Sequence, residues 1–301
     1  MADEVYYRAE LRERSRLTPH MIRLRLGPPS VDVPGIPDLS GFVSTGVGDE
    51  RLVVVLPAPG QPEPPMPVLT ETGWDYPEVA DRPTMRSYTV RAFDPDSGEL
   101  VLDFVDHDGG LASTWARDAR PGDRVLVTEA AGWYDPPVDA EWQLLVGDMT
   151  ALPALGRLAE TARPGLTTSV VAEVVGLADR QPMPSGVRVR WLCGSGNGRA
   201  PSGLLAAVRE LELPAGPGYV WFAGEAAASR AVRKHLRREL DWPTDRSTIL
   251  GYWRRGQEEW TARYEVIAPA IESVYTEAVA AGRTSEDALD LYDDALERAG
   301  L

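Results

Sequence analysis

The spacing of apolar residues changes character near residue 138, and no other feature of the chain constrains its fold as strongly. Upstream, the sequence reads as short strands separated by turns. In residues 20–26, Ile22, Leu24 and Leu26 alternate with Arg23 and Arg25, the period of two of a half-buried strand. Residues 51–56 form a valine-rich buried strand. Residues 87–91 and 99–105 make a hairpin around Asp94-Pro-Asp-Ser-Gly98, and a strand at 123–128 follows the turn Arg120-Pro-Gly122. Residues 57–83 are proline-rich and polar and read as a long loop or flap. Such a series predicts a small antiparallel barrel.

Downstream, strands at 142–147, 169–175, 187–192 and 219–224 alternate with helices at 150–161, 201–211 and 225–240. That alternation predicts a parallel sheet covered by helices, with ligands at the carboxyl ends of its strands. Helices at 257–282 and 285–299 follow. Ser285 is the expected N-cap of the second. Ile267, Ile271 and Val274 are expected to pack the first against the parallel-sheet domain. The predicted fold is β + α/β: an antiparallel β-barrel over 1–138, a nucleotide-binding α/β domain over 139–256 and an acidic helical extension over 257–301.

Composition narrows the chemistry. A formal net charge of −15 argues against nucleic-acid binding. Over half of it lies in residues 257–301, where eleven acids face three arginines. A single cysteine, Cys193, excludes an internal disulfide, a cysteine-based zinc site and a cluster held by several cysteines of this chain. Three scattered histidines, His20, His107 and His235, point to no metal site. No apolar run is long enough to span a membrane, and the charged start has no signal-peptide core, so a cytoplasmic protein is expected. Redox chemistry here would need an organic cofactor or a partner.

Two segments carry the strongest chemical signal. Arg86-Ser-Tyr-Thr-Val-Arg91 supplies a guanidinium for phosphate, an aromatic face for a flat ring and a hydroxyl for a ring heteroatom. His107-Asp-Gly-Gly-Leu-Ala-Ser-Thr-Trp-Ala116 supplies small residues and open backbone N–H groups at a helix start, which suits a pyrophosphate. An ordinary barrel strand and a capped turn are the plain alternatives; the two in succession favour a dinucleotide cradle. Gly147-Asp-Met-Thr150 is a weak nucleotide motif or simply a capped strand-to-helix connection. Arg230, Arg233, Lys234, Arg237 and Arg238 form either a solvated helix face or a surface for a nucleotide phosphate, an anionic chelate or an acidic redox partner. Gly251-Tyr-Trp-Arg-Arg-Gly256 reads as a turn at a site mouth, or as a core Tyr-Trp with a surface Arg pair.

Together these blocks resemble the siderophore-interacting protein family over roughly residues 5–256. Its members are flavoproteins of the ferredoxin-reductase-like superfamily that reduce ferric siderophores. The resemblance implies a barrel holding FAD and a second domain that meets NADH or NADPH. It assigns Arg86, with Ser87 beside it, to flavin phosphate, Tyr88 to the isoalloxazine face and Thr89 to its reactive edge. It assigns His107, Gly110, Leu111, Ala112 and Ser113 to the ribityl-pyrophosphate, and Thr150 and Ala151 to the dinucleotide from the second domain. Tyr252 and Trp253 would lie near the flavin, where electrons pass, with no acid–base residue required.

The chain departs from the family pattern in three places. Met149 stands where the family often has Glu. Glu129-Ala-Ala-Gly-Trp133 replaces a common Gly-Pro pair, which would bring the adenine against Trp133 or Tyr134. Lys234 is the only lysine, so Arg254 and Arg255, with Lys234, are the candidates for an anionic siderophore. The implied function is an FAD-dependent reductase passing electrons from NAD(P)H to a ferric siderophore and releasing Fe(II) for intracellular iron acquisition. Alternatives are a ferredoxin as the electron donor, a flavin reductase or reductase component serving another acceptor, and a non-catalytic ferric-siderophore-binding protein.

Overall fold

A computed structural model describes residues 5–31, 35–70, 73–76 and 83–301. Strands β1 (Tyr6–Thr18), β2 (Met21–Gly27), β3 (Arg51–Leu56), β6 (Thr84–Asp94), β7 (Glu99–Val105) and β8 (Arg124–Thr128) close into an antiparallel barrel in the order β1-β2-β7-β6-β3-β8. Its interior is filled by alternate residues of each strand, among them Leu24, Leu26, Val54, Val90, Leu102 and Val127. Between β3 and β6, the proline-rich stretch carries a small hairpin of β4 (Val68–Thr70) and β5 (Gly73–Asp75). The rest of the expected flap lies partly outside the described residues.

Strand β1 was not expected. Tyr7, Ala9 and Leu11 do alternate into the barrel core. The intervening Arg8 and Glu10 are also buried, Arg8 bonding the Ile36 carbonyl and Glu10 bonding Ser30 and Arg12. Beyond Leu11 the strand runs on through the exposed residues Arg12, Glu13, Arg14, Ser15 and Arg16, and that polar run disguises it as a tail.

Helix α1 (Leu111–Asp118) follows β7 and packs on the barrel. The second half then forms a five-stranded parallel sheet, ordered β11-β10-β9-β12-β13, from β9 (Trp142–Gly147), β10 (Thr167–Val174), β11 (Arg188–Cys193), β12 (Gly218–Glu225) and β13 (Ser247–Trp253). Helices α2 (Leu152–Glu160), α3 (Leu204–Arg209) and α4 (Ala226–Lys234) cover it. The chain order reverses between β9 and β12, so the crevice at their carboxyl ends is the place where such a sheet binds ligands. β13 corrects the reading of 251–256 as a turn. Gly251, Tyr252 and Trp253 end a strand in register with Gly224 and Glu225, and the chain turns only at Arg254–Gly256.

The two halves are joined by buried polar contacts. Glu50, with no exposed surface, accepts from Arg157 of α2 at 2.7 Å, and Arg157 also donates to the Val90 carbonyl. Asp179 binds Thr18 and His20 of the barrel.

Helices α5 (Gln257–Ala280) and α6 (Ser285–Arg298) form an antiparallel pair, with Pro269 inside α5. Two expectations are corrected here. Thr284, not Ser285, caps α6 by accepting from Asp287 N. Ile267, Ile271 and Val274 pack against α6 residues, not against the parallel sheet. No helix among the described residues is long and apolar enough to cross a membrane.

Candidate functional site

On β6, Arg86 and Ser87 are exposed, Tyr88 is half-buried and Thr89 is buried. Arg86 Nη1 donates to the Met85 carbonyl. One face of Tyr88 lies on Phe104 of β7, with ring centroids 3.7 Å apart, and burial pushes its hydroxyl well above the ordinary value. Thr89 pairs with Arg51 across the β3–β6 ladder, and its Oγ1 is buried with no well-formed protein bond.

The loop from β7 to α1 folds on itself. The His107 N–H donates to Ser113 Oγ at 2.9 Å, and that hydroxyl donates to Asp106 at 3.1 Å. The Ser113 side chain is therefore spent closing the loop. Gly109 has φ of +80°, a conformation that favours glycine. The His107 ring lies over Gly110 so closely that a Cβ there would sit 2.5 Å from its Cε1. No side chain caps α1, so the N–H groups of its first turn point out of the helix end, where an anion is favoured. Leu111 is exposed, whereas Ala112 and Ser113 are buried.

Across the seam, Asp148 follows β9 and is buried. Its Oδ1 accepts from the backbone N and hydroxyl of Thr150; its Oδ2 accepts from Glu225 N and from Trp253 Nε1 at 2.6 Å. Burial pushes the Asp148 carboxyl up, against the pull of these bonds. Ala151 is fully buried and its N–H turns back on the Asp148 carbonyl, so it offers no surface to a dinucleotide. The glycine-rich stretch after β11 is an ordered loop. Glu173 Oε1 accepts from Ser195 Oγ and Gly203 N, and Asn197 joins Met149 N to the Glu173 carbonyl.

Tyr252 reaches the barrel. Its ring meets Trp221 edge-on at 6.3 Å, and its hydroxyl is buried with no well-formed bond. Burial pushes that hydroxyl up, the Asp49 charge adds to the shift, and the nearby Thr89 hydroxyl opposes it. Thr89 and Tyr252, one from each half, thus meet at the seam. Asp49, which the sequence did not single out, organises this junction. It accepts from Trp133 N, Tyr134 N and Trp221 Nε1 at 2.9, 3.0 and 2.9 Å. Its only signal was an acidic pair, Asp49-Glu50, directly before a valine-rich strand. Of the two aromatics considered for adenine, Tyr134 is committed to Gln143, while the Trp133 ring is 41% exposed and faces Arg51 at 4.4 Å.

The expected substrate cations do not converge. Arg255 is exposed, its N–H near Glu225. Arg254 is half-buried, its guanidinium 3.8 Å over the Trp260 ring. Lys234 is paired with Glu297 of α6 at 2.9 Å. The basic face of α4 is thus largely neutralised within the chain and is not an open surface.

A closed antiparallel barrel bearing an open helix end, set beside a parallel sheet whose switch-point crevice meets it, defines a ferredoxin-reductase-like FAD- and nicotinamide-nucleotide-binding fold. The family follows from direct comparison. Residues 10–133 match the siderophore-interacting FAD-binding domain, and residues 140–256 match the siderophore-interacting protein domain. The chain belongs to the siderophore-interacting protein family. It is 30% identical over 220 residues to an NADPH-dependent ferric-chelate reductase of Escherichia coli (strain K12), covering 71% of this chain and 83% of that protein. It is 31% identical over 279 residues to an uncharacterized protein of Mycobacterium tuberculosis (strain ATCC 25618 / H37Rv), covering 86% of this chain and 94% of that one. Its fold is similar to the crystal structure of a siderophore utilization protein from T. fusca, with a TM-score of 0.72, 32% identity, and coverage of 85% of this chain and 95% of that one.

Proposed function

We propose that the protein is an FAD-dependent reductase that takes electrons from a nicotinamide nucleotide and delivers them to a ferric siderophore, freeing Fe(II). The observation that carries this reading is the meeting of Thr89 and Tyr252 at the seam, two buried hydroxyls close to one another and without a well-formed bond to the rest of the protein. Buried polar groups are nearly always paired, and each hydroxyl both donates and accepts, so two that have only one another keep bonding capacity for a polar-edged ligand. The rest of the cradle fits FAD: the half-buried Tyr88 ring beside Thr89, and the uncapped α1 end beneath His107 for a diphosphate. Arg86 and the exposed Trp133 ring are the proposed contacts for phosphate and adenine. When bound, FAD supplies acceptance of two electrons and their release one at a time.

The chain's own groups position and shield. Thr89 offers a hydroxyl at the seam, and Tyr252 and Trp221 exclude water there. Asp148 holds Trp253 at the carboxyl edge of the sheet, where a nicotinamide nucleotide would enter. Arg255 supplies positive charge for an anionic chelate. The name of the Escherichia coli relative favours NADPH as donor and a ferric chelate as acceptor.

The test is an anaerobic absorbance titration of the FAD-saturated protein with NADPH and, separately, NADH, followed by a ferric siderophore. Bleaching of the flavin, then return of its colour as Fe(II) forms, is expected. Flavin that binds but is bleached by neither nucleotide would remove the nicotinamide step. Flavin that does not bind would overturn the proposal.

A further inference from the structure

The family match ends at residue 256, and α5 and α6 lie beyond it. These helices share a small apolar core of their own, around Ile271, Ala295 and Leu296, and no residue of the parallel-sheet domain belongs to it. α6 instead meets α4, and the helical turn His235–Glu239 that continues it, through charge. Arg233 pairs with Asp293, Lys234 with Glu297, and Arg238 with Asp294. With Asp290, these acids stand at i, i+3, i+4 and i+7, one face of a helix. At the same end of the pair, where the first turns of α5 meet the last turns of α6, the Trp260 ring covers Arg254.

Arg254 occupies a sensitive place. It directly follows Trp253, which Asp148 fastens to the carboxyl edge of the sheet. Among the described residues its guanidinium has no hydrogen bond or ion pair, only the aromatic face. Burial, and then the like charge of Arg230, disfavour its charged form and outweigh the opposing charges of Glu225 and Asp293. A partly desolvated cation with no direct ion pair, beside a ligand edge, is suited to an anion. The Lys234–Glu297 and Arg238–Asp294 pairs are exposed, weakly held and screened by salt, while the more buried Arg233–Asp293 pair is screened less; no shared apolar core adds to them.

We infer that the α5–α6 pair is a displaceable electrostatic cover that limits anion binding at the site: α6 neutralises the cations of α4, and Trp260 withholds Arg254. This inference concerns regulation of the proposed site and rests on that reading for the identity of the anion. In the docked state, Arg254 and the α4 cations are occupied by the chain itself. Displacing α6 exposes a stripe of five cations leading to the sheet edge, which raises the local concentration of anions there.

The test uses the full chain loaded with FAD. One variant neutralises the α6 face while leaving the apolar core of the helix pair intact: Asp290→Asn, Asp293→Asn, Asp294→Asn and Glu297→Gln. A second, Trp260→Leu, releases Arg254 without touching those acids. Binding of a trianionic ferric tris-catecholate and of inorganic pyrophosphate is measured by calorimetry at low salt, with circular dichroism to verify folding. Both variants are expected to bind pyrophosphate about tenfold more tightly than the unmodified protein, and adding Arg254→Gln to Trp260→Leu should abolish the gain. Unchanged pyrophosphate affinity in both folded variants would overturn the cover. Failure of the catecholate to bind any form, with pyrophosphate behaving as expected, would instead count against the chelate reading and leave the cover standing.

Discussion

Trp253 Nε1 donates to Asp148 Oδ2 at 2.6 Å, fastening the last residue of β13 to the buried carboxylate that follows β9. Asp148 takes two donors on each oxygen, the second pair being Thr150 N and Oγ1. An asparagine must turn its NH2 group toward one of these pairs. Asp148→Asn should therefore cost about 1–3 kcal/mol, the scale of buried groups left unpaired. Trp253→Phe should cost less, because Oδ2 keeps the Glu225 N–H. Urea unfolding of the two variants checks the order, and equal costs would mean that Trp253 alone holds the carboxylate in place.

Thr89→Val separates folding from ligand binding. The Thr89 hydroxyl is buried with no well-formed protein bond, only the Tyr252 hydroxyl near it, and valine has nearly its shape. Removing it should leave the stability of the flavin-free protein unchanged or slightly higher. A hydroxyl bonded to the flavin contributes about 1 kcal/mol, so the rate of flavin reduction or the flavin affinity should fall by about fivefold to tenfold. Thermal unfolding of the flavin-free form and stopped-flow reduction provide the two readouts. A loss of stability with flavin chemistry untouched would place the hydroxyl in the fold alone.

Asp49 is the rivet between the halves. Its carboxylate receives two backbone N–H groups of the linking segment and the indole of Trp221. Asp49→Ala strands three donors at a closed seam and should cost roughly 3 kcal/mol or more, counting about 1 kcal/mol for each. Trp221→Phe removes one donor with the ring volume largely kept, and should cost near the lower end of that range. Denaturant titration followed by tryptophan emission distinguishes them.

How far the sequence reveals this arrangement depends on how local each signal is. β3 and β9 are built on short apolar runs, Leu52–Leu56 and Leu144–Val146, and their bounds read directly from residues 51–56 and 142–147. β1 hides because its alternation lasts only from Tyr7 to Leu11 and then gives way to a run of charged and polar residues, Arg12 to Arg16, that reads as a solvated tail. β13 hides because Gly251 and the paired arginines after it signal a turn, while the strand runs along a half-exposed sheet edge. The segments around Tyr88 and Gly110 are contiguous and can be picked out from residue types alone. Asp49 depends on Trp221, 172 residues away, and has no local signature. The cationic run of α4 is legible as a run, but its partners, Asp293, Asp294 and Glu297, lie 56 to 63 residues downstream, so its neutralisation is not.

The barrel-to-sheet contact at Asp179 makes a pH prediction. Thr18 Oγ1 and the N–H of His20 donate to one carboxylate oxygen, and the His20 ring bonds the other. Burial alone would raise this carboxyl, but the bonds outweigh it and hold its pKa below the usual 3.8. The unfolded chain therefore binds this proton more readily than the folded one. Its stabilising contribution is present above about pH 4 and is lost as pH falls through the depressed value. Thr18→Val with His20→Phe should remove part of the acid sensitivity below pH 4 while costing stability at pH 7. Urea midpoints taken from pH 3 to pH 7 test this, and a parallel offset at every pH would contradict it.

Gly110→Ala probes the α1 end without straining the backbone, since Gly110 has φ of −87°, which alanine adopts freely. The added Cβ would lie 2.5 Å from His107 Cε1, so the imidazole must swing away. That ring is exposed and can move, so stability should stay within about 0.5 kcal/mol, as for surface changes. The displaced ring would disturb the approach to the first-turn N–H groups, and FAD affinity should fall by roughly tenfold, the scale of one lost hydrogen bond to a charged group. His107→Ala restores the space. If the ring is what matters, Gly110→Ala should cost nothing further in the His107→Ala background, a non-additivity that fluorescence titration of FAD measures directly. Equal losses in both backgrounds would mean instead that the alanine methyl itself blocks the helix end.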